Sequence, residues 1–359
     1  MSEFSVAYLP GDGVGPEVVD QARRVLDAVG GRFGHRFDGR EALVGACSVA
    51  KHGIEVTDEV IDLCKSSDAV LLGACGVAGG AAVNGRHPEL AVLTLREEMG
   101  LWANIRPLKV RAELADASPL KRTVIEGVDL VVFRELTGGI YFAEPKGRRR
   151  IDGEETAFDT LLYREHEVRR IVARAFEHAR IRRRSVTSVD KYNVLESSRF
   201  WREIAEDVAA GFPDVKFASV LVDAFAMRLM LTPRDFDVVV AGNLFGDILT
   251  DEMAVMAASL GMMPSASLGD GKVGLYEPIH GSAPDIAGRD IANPIGTILS
   301  AGMMLELSFG LEEEARAVEE AVDGALASGF RTRDIMEGRT SLRVGTTGMA
   351  DAVIAELTS

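Results

Sequence analysis

The 359-residue sequence has few cysteines, few aromatic residues and an excess of negative charge. Its three cysteines, Cys47, Cys64 and Cys75, match no zinc-binding spacing, and one thiol stays unpaired if the other two pair. A net charge of −15 is the wrong sign for a protein that neutralises a phosphate backbone. We therefore expect a protein of a reducing compartment that does not bind nucleic acid.

Long apolar runs and a basic leader are also missing. The most apolar late stretch, residues 291–307, is interrupted by Pro294, Gly296 and Gly302. The N-terminal apolar run stops at Pro10. We expect no signal peptide and no membrane contact, which predicts a cytoplasmic protein.

What the sequence does contain is a repeated α/β pattern. Hydrophobic residues make up 47% against 26% charged, a composition typical of a folded enzyme. Short β-branched runs precede helical patterns, as in residues 5–9 before 17–29 and 185–189 before 197–209. Residues 137–162 break this rhythm with glycines and an Asp152-Gly153 turn, which predicts a protruding β-arm that pairs with a second subunit.

One glycine-rich turn imitates a dinucleotide-binding fingerprint. In Gly11-Asp12-Gly13-Val14-Gly15-Pro16 the third glycine of that fingerprint is missing. Pro16 and Glu17 are typical of a helix start. We therefore interpret residues 11–17 as a tight strand-to-helix turn rather than as a Rossmann site.

Three aspartates are candidates for a metal site. Asp247 and Asp251 stand four residues apart, so they share one face of a helix, where two like charges repel unless a cation lies between them. Asp223, after an apolar strand, is a candidate third oxygen ligand. The alternative is that Asp223 and Asp247 are helix-start residues.

Five basic or phenolic residues lie where strands and helices end. Arg96, Arg106 and Arg134 carry guanidinium groups that suit a substrate with two carboxylates, although each could instead be a surface residue. Lys191 follows a strand, and Tyr141 follows two glycines. Functional groups of open α/β sheets gather at the carboxyl ends of strands, where Asp223, Arg134, Lys191 and Asn243 are predicted to lie.

At these segments the sequence resembles the β-decarboxylating dehydrogenases, the family of isocitrate and isopropylmalate dehydrogenases that also includes homoisocitrate and tartrate dehydrogenases. The resemblance covers nearly the whole chain, and long motifs in the family's order are more specific than a lone glycine pattern. The segments that carry it are residues 9–17, 95–107, 134–142, 188–195, 243–249 and 277–294.

The resemblance implies a shared active site in a homodimer. It implies that Arg96, Arg106 and Arg134 bind the substrate carboxylates, and that Asp223, Asp247 and Asp251 hold Mg²⁺ or Mn²⁺. Lys191 would be the general base, with Asp223 beside it, and Tyr141 the acid that protonates the carbanion left by decarboxylation. Lys191 and Asp223 would come from the other subunit.

The resemblance also implies an NAD site on the loop of residues 280–293 rather than on a Rossmann turn. Asp285 would accept hydrogen bonds from ribose hydroxyls and repel a 2′-phosphate, which favours NAD over NADP. The implied cofactor contacts are His280, Gly281, Ser282, Ala283, Pro284, Asp285, Ile286 and Asn293.

The substrate implied is 3-isopropylmalate, oxidised and decarboxylated to 4-methyl-2-oxopentanoate in leucine biosynthesis. The segment 134–139, Arg-Glu-Leu-Thr-Gly-Gly, follows the isopropylmalate branch, and Glu89, Val92 and Leu93 match the pocket for the malate side chain. Residues 75–84 depart from the family's usual loop near the nicotinamide ribose. Tyr192 stands where the family usually has a small or amide residue. The alternatives are another 3-substituted malate, such as tartrate or homoisocitrate, and a non-catalytic regulatory subunit.

The fold implied is two α/β domains around a large mixed sheet, as in the isocitrate and isopropylmalate dehydrogenases. We expect residues 1–101 with 258–359 to form the cofactor-side domain. Residues 102–257 would form the dimerisation domain, which carries the metal and substrate residues and the β-arm.

Overall fold

The computed structural model describes residues 2–336 and 341–359, which divide into two compact units. The first unit comprises Met1–Leu101, Pro107–Gly127 and Ala254–Ser359. The second comprises Trp102–Arg106 and Val128–Met253.

Strands and helices alternate through most of the described residues. The strands are β1 (Glu3–Gly11), β2 (Arg36–Glu41), β3 (Ala69–Ala74), β4 (Ala103–Lys109), β5 (Asp129–Glu135), β6 (Gly147–Ile151), β7 (Glu154–Phe158), β8 (Ser185–Asp190), β9 (Lys216–Leu221), β10 (Val238–Ala241), β11 (Pro264–Leu268), β12 (Leu275–Pro278), β13 (Phe330–Arg331) and β14 (Leu342–Arg343). The α-helices are α1 (Gly15–Phe33), α2 (Ala46–His52), α3 (Asp58–Ser66), α4 (Leu90–Glu98), α5 (Arg122–Ile125), α6 (Glu165–Arg180), α7 (Glu196–Ala210), α8 (Val222–Leu231), α9 (Asn243–Ala254), α10 (Ile295–Leu307), α11 (Glu312–Ala327) and α12 (Thr346–Thr358).

The first unit is built on a mixed sheet with the order β2-β1-β3-β12-β11. β1 is parallel to β2 and β3, and β12 is parallel to β3 but antiparallel to β11. Because side chains alternate across a strand, Leu9 and Leu72 share one face, where they are buried with Cys64 of α3 and Leu95 of α4. Burial on both faces explains why β3 is a continuous apolar run.

The second unit carries parallel strands in the order β5-β10-β8-β9. Helices α6 and α7 pack together beside them. β6 and β7 form a separate antiparallel hairpin, closed by Asp152 and Gly153, which both have positive φ angles.

These elements confirm the predicted α/β class and its mixed sheet. The β-hairpin lies inside the predicted arm, but it spans only residues 147–158, and Gly139–Tyr141 form a 3₁₀ turn. None of the described helices is long and apolar enough to cross a membrane.

One helix boundary and one domain boundary differ from the prediction. Helix α9 begins at Asn243 rather than at Asp247, because the Gly242 carbonyl already accepts a helical hydrogen bond from the Gly246 amide. Residues 107–127, expected with the middle domain, lie in the first unit. Arg111 of this segment pairs with Asp323 of α11 at 2.5 Å, an ion pair that periodicity does not reveal.

The β1–α1 turn is explained by close backbone packing. Gly13 has φ +59°, and a Cβ on it would lie 1.8 Å from the Ser282 carbonyl oxygen. That carbonyl accepts a hydrogen bond from the Val14 amide at 2.8 Å. The glycines therefore let the turn approach the loop that follows β12, a contact that the sequence did not predict.

We expect Gly13→Ala to destabilise the protein by about 2 kcal/mol or more, because alanine adds both backbone strain and a collision. A lower urea midpoint would show this. The matched control is Gly31→Ala in α1, where a Cβ meets nothing within 4 Å, so helix propensity predicts a small gain. Equal midpoints for the two variants would contradict the packing explanation.

Candidate active site

A buried arginine, an aspartate and a tyrosine meet in the second unit. Arg134 ends β5 with only 2% of its surface exposed, and its Nη1 donates to Asp247 Oδ1. The Tyr141 hydroxyl donates to the other oxygen, Oδ2, at 2.8 Å. Gly246 makes this approach possible, because a Cβ there would lie 2.8 Å from Arg134 Cβ.

Arg106 of β4 adds a second buried cation. Its Nη2 lies 3.5 Å from Asp247 Oδ1, and its Nη1 lies 3.8 Å from Asp251 Oδ1. Nε and Nη1 also donate to Asn104 and Thr250, at 2.6 and 2.5 Å. Asp247 and Asp251 thus lie one turn apart on α9, as their spacing predicts, with the cations of Arg106 and Arg134 beside them.

The electrostatics of this cluster favour a protonated phenol. Burial, followed by the charge of Asp247, raises the pKa of Tyr141 to about 12. Burial also raises the pKa of the Asp251 carboxyl, with a smaller contribution from Asp247. Tyr141 therefore holds its proton at neutral pH and can donate it.

Lys191 and Asp223 form a separate pair in the same unit. Lys191 Nζ lies 2.8 Å from Asp223 Oδ1, and this hydrogen bond lowers the pKa of the Asp223 carboxyl. Tyr192, one of the departures from the family pattern, packs its ring under the guanidinium of Arg202 at 3.9 Å. Among the described residues, no three His, Cys, Asp or Glu side chains lie close enough together to hold a metal. One chain therefore does not bring the three predicted metal ligands together.

Helix α8, which carries Asp223, has an uncovered apolar face. Met227 and Leu231 follow Asp223 at intervals of four residues and are 58% and 62% exposed. Residues at this spacing share a helix face, so the carboxylate stands at the end of an apolar stripe. On α9, Ile248 is also 58% exposed. Exposed apolar side chains on one helix face, as on α8, are typical of a surface that another molecule covers.

Two residues that contact the segment before Tyr141, Glu135 and Tyr163, were not predicted as site residues. The Glu135 carboxylate is fully buried and accepts hydrogen bonds from the Thr137 hydroxyl and amide and from the Gly138 amide, at 2.7 to 3.1 Å. Burial raises the pKa of Glu135. Tyr163 packs against Gly138 and Gly139, leaving no room for a Cβ at either. In the sequence, Glu135 belongs to a motif that resembles the family but had no predicted role. No pattern in the sequence pointed to Tyr163.

In the first unit, Arg96 is buried on α4 and donates from Nη2 to Glu277 of β12 at 2.9 Å. Its Nε is also buried and has no hydrogen-bond partner among the described residues. Glu89 directly precedes α4, and Val92 and Leu93 lie in its first turn. The four residues thus follow one another along one short segment, as predicted.

The predicted cofactor loop lies in the first unit. His280 Nδ1 lies 2.9 Å from the Gly281 carbonyl, while Nε2 is buried with no partner among the described residues. The exposed Asp285 carboxylate makes no hydrogen bond or ion pair within the described part of the chain. Asn293 differs from both, because it is buried and its Oδ1 accepts a hydrogen bond from the amide of Ile295, the first residue of α10, at 3.0 Å. The remaining predicted contacts lie on the same loop: Gly281, Ser282, Ala283, Pro284 and Ile286.

Asp12 is a further buried carboxylate that the sequence did not identify. It accepts hydrogen bonds from the amides of Ala46 and Cys47, at the start of α2, and from Gly76, at 2.8 to 3.0 Å. Gly76 belongs to the atypical loop of residues 75–84. Asp12 therefore fastens that loop to the β1–α1 turn.

His280 should make stability depend on pH. Burial lowers its pKa below the usual 6.5, while Gly281, Asp334 and Glu277 oppose the shift. The unfolded chain then takes up a proton first as the pH falls through about 6.5, so stability is lost toward low pH, by at most about 1.4 kcal/mol per pH unit.

The variant His280→Gln lacks this titration. We expect the difference in free energy of unfolding between wild type and variant to change steadily from pH 7 to pH 5 and to stay constant from pH 7 to pH 8. Urea titrations across this range measure it. A difference that is the same at every pH would contradict a depressed His280 pKa.

Comparison with known proteins identifies the family of the chain. Residues 5–353 match the family model described as isocitrate/isopropylmalate dehydrogenase. The 3-isopropylmalate dehydrogenase of Halalkalibacterium halodurans is 51% identical over 359 residues, 99% of each chain. That of Rhodopirellula baltica is 52% identical over 357 residues, also 99% of each chain.

Solved structures show the same fold. A crystal structure of isocitrate dehydrogenase from Methylococcus capsulatus matches with a TM-score of 0.88 and 32% identity, over 99% of this chain and 100% of that one. An apo β-decarboxylating dehydrogenase from Thermococcus kodakarensis matches with a TM-score of 0.79 and 37% identity, over 99% and 96%. The motif-based prediction is therefore confirmed, and the chain belongs to the isocitrate/isopropylmalate dehydrogenase family of oxidoreductases.

Proposed function

We propose that this dehydrogenase oxidises 3-isopropylmalate with NAD and decarboxylates the product to 4-methyl-2-oxopentanoate, a step of leucine biosynthesis. The observation that carries the proposal is the Asp247 carboxylate, which lies between Arg134, Arg106 and Tyr141 and one turn from Asp251. The relatives named 3-isopropylmalate dehydrogenase support the substrate.

The carboxylates suit a hard divalent cation. Mg²⁺ and Mn²⁺ prefer carboxylate oxygens, and Asp247 and Asp251 present such oxygens from adjacent turns. Asp247 and Asp251 supply two of the three predicted metal ligands from one chain, so a third carboxylate is still needed. Asp223 supplies it in this proposal, from α8 of a second copy.

The cofactor loop suits a nucleotide. His280 Nδ1 faces a carbonyl oxygen, so Nδ1 carries the ring proton. The buried Nε2 is then an acceptor, which could receive a hydrogen bond from the adenine amino group. Asp285 is free to accept from ribose hydroxyls and would repel a 2′-phosphate. Asn293 has the least capacity left for the cofactor, because its side chain already bonds to Ile295 and Asp334.

When bound, NAD supplies the hydride acceptor and the cation polarises the substrate's hydroxyl and keto oxygens. The chain's own residues bind the substrate and transfer the protons. Arg96, Arg106 and Arg134 bind the two malate carboxylates, which fixes the hydroxyl carbon in place. Lys191, as the neutral amine, accepts the hydroxyl proton. After carbon dioxide leaves, Tyr141 donates its proton to the remaining carbanion.

The exposed face of α8 supports a homodimer. Covering Met227 and Leu231 with a second copy removes apolar surface from water and carries Asp223, with its partner Lys191, to the other chain's carboxylates. The β6–β7 hairpin, which has no other strand beside it among the described residues, would pair with its counterpart.

Steady-state rates test the substrate. With Mg²⁺ and NAD, we expect kcat/KM for 3-isopropylmalate to exceed that for isocitrate, tartrate and malate by about tenfold or more, because Val92 and Leu93 suit a branched apolar group. NADP should be a poorer cofactor than NAD. If another of these acids is preferred, the chain acts on a different 3-substituted malate. If none yields NADH, the regulatory-subunit alternative is favoured.

Asp247→Asn tests the metal assignment. The amide oxygen can still accept from Arg134, so we expect the protein to fold, while activity falls at least about a hundredfold. The control is Glu206→Gln on α7, an exposed residue of the same unit that also loses one negative charge and should retain activity. Unchanged Mg²⁺-dependent turnover in Asp247→Asn would refute the assignment.

A further inference from the structure

Asn243 is a buried polar residue for which the proposed reaction has no use. It begins helix α9, four residues before Asp247, and only 1% of its surface is exposed. Burying an amide costs free energy unless its hydrogen bonds are replaced, so its partners explain its presence.

The two ends of the amide serve two different groups. Oδ1 accepts from Arg134 Nε at 3.0 Å and from Nη2 at 2.8 Å. Nδ2 donates to the carbonyls of Leu136 and Gly138, at 3.2 and 3.1 Å. Two acceptor positions and two donor hydrogens are all that an amide side chain offers, and every one is used.

Each end acts on a residue of the proposed mechanism. The bonds to Nε and Nη2 fix the plane of the Arg134 guanidinium, which leaves Nη1 directed at Asp247. The bonds to the two carbonyls hold residues 136–138, the segment that leads directly into the 3₁₀ turn bearing Tyr141. The Asn243 backbone amide adds a 2.7 Å hydrogen bond to the Tyr163 hydroxyl.

We propose that Asn243 is a positioning residue that aligns Arg134 and Tyr141 with each other through one side chain. The inference rests on the proposed function, since it takes Arg134 as a carboxylate-binding residue and Tyr141 as the acid. Asn243 touches neither substrate nor cofactor in this proposal. It holds the guanidinium and the tyrosine turn in one geometry.

Two substitutions separate the two ends of the amide. Asn243→Asp keeps oxygens for Arg134 but places an oxygen against the Leu136 and Gly138 carbonyls, so the Tyr141 turn is released. We expect kcat to fall about tenfold with KM for the malate substrate within about twofold. Asn243→Ala releases both ends, so KM should also rise about tenfold, as the loss of about 1.4 kcal/mol of binding implies.

A second background checks that Asn243 acts through Arg134. Lysine lacks the forked donors that Oδ1 accepts, so in Arg134→Lys the further change Asn243→Ala should raise KM less than about twofold. Glu206→Gln again serves as the unaltered control. Circular dichroism and active-site titration with NAD correct each rate for the folded fraction.

The outcomes are distinct. A KM increase confined to Asn243→Ala, and absent in the Arg134→Lys background, supports positioning. Rates within twofold of wild type for Asn243→Ala, or equal kcat losses in both variants at unchanged KM, overturn it. If Asn243→Ala does not fold, unchanged kcat in Asn243→Asp overturns it alone. If wild type prefers another malate, the substrate proposal fails, and the same comparison is made with that acid.

Discussion

The buried guanidinium of Arg134 is the charge around which the second unit is arranged. A permanently charged group with 2% of its surface exposed must exchange water for fixed partners, and it does so with Asp247 and Asn243. Both partners lie on the first turns of α9, so one cation determines where that helix sits on β5. Gly246 lets it come that close.

The position of this cluster at the carboxyl ends of parallel strands has a physical consequence. β5, β8 and β10 are parallel, so the residues that follow them emerge on the same side of the sheet. Arg134 and Asn243 meet there directly. Lys191 follows β8 on the same side, yet its ammonium pairs with Asp223 of α8, the helix that also carries the exposed side chains of Met227 and Leu231. The second unit thus presents two groups of predicted site residues, and in our proposal a second copy joins them.

Some features of the candidate site were predicted from residue spacing, and others only from the resemblance to a family. The pair Asp247 and Asp251 followed from helical periodicity, and the non-Rossmann interpretation of residues 11–17 followed from one missing glycine. Family motifs then added the roles. Asn243 was predicted at a strand end but without a role, and Asp12 and Glu135 were not assigned, because each acts through backbone amides, carbonyls or a neighbouring arginine that become adjacent only after folding. The boundary of α9 was misplaced for a related reason: the aspartates marked the face of the helix and not its first turn.

The central claim, that carboxylates and a lysine from two copies complete one site, is tested most directly by mixing two inactive variants. Lys191→Ala and Asp247→Asn are each expected to be inactive as homodimers. After unfolding and refolding together, half of the dimers should be mixed, and each mixed dimer has one intact site, so activity should return to about a quarter of wild type. No recovery, with mixed dimers demonstrated by mass spectrometry, would show that Lys191 and Asp247 serve the same chain's site and would contradict the account.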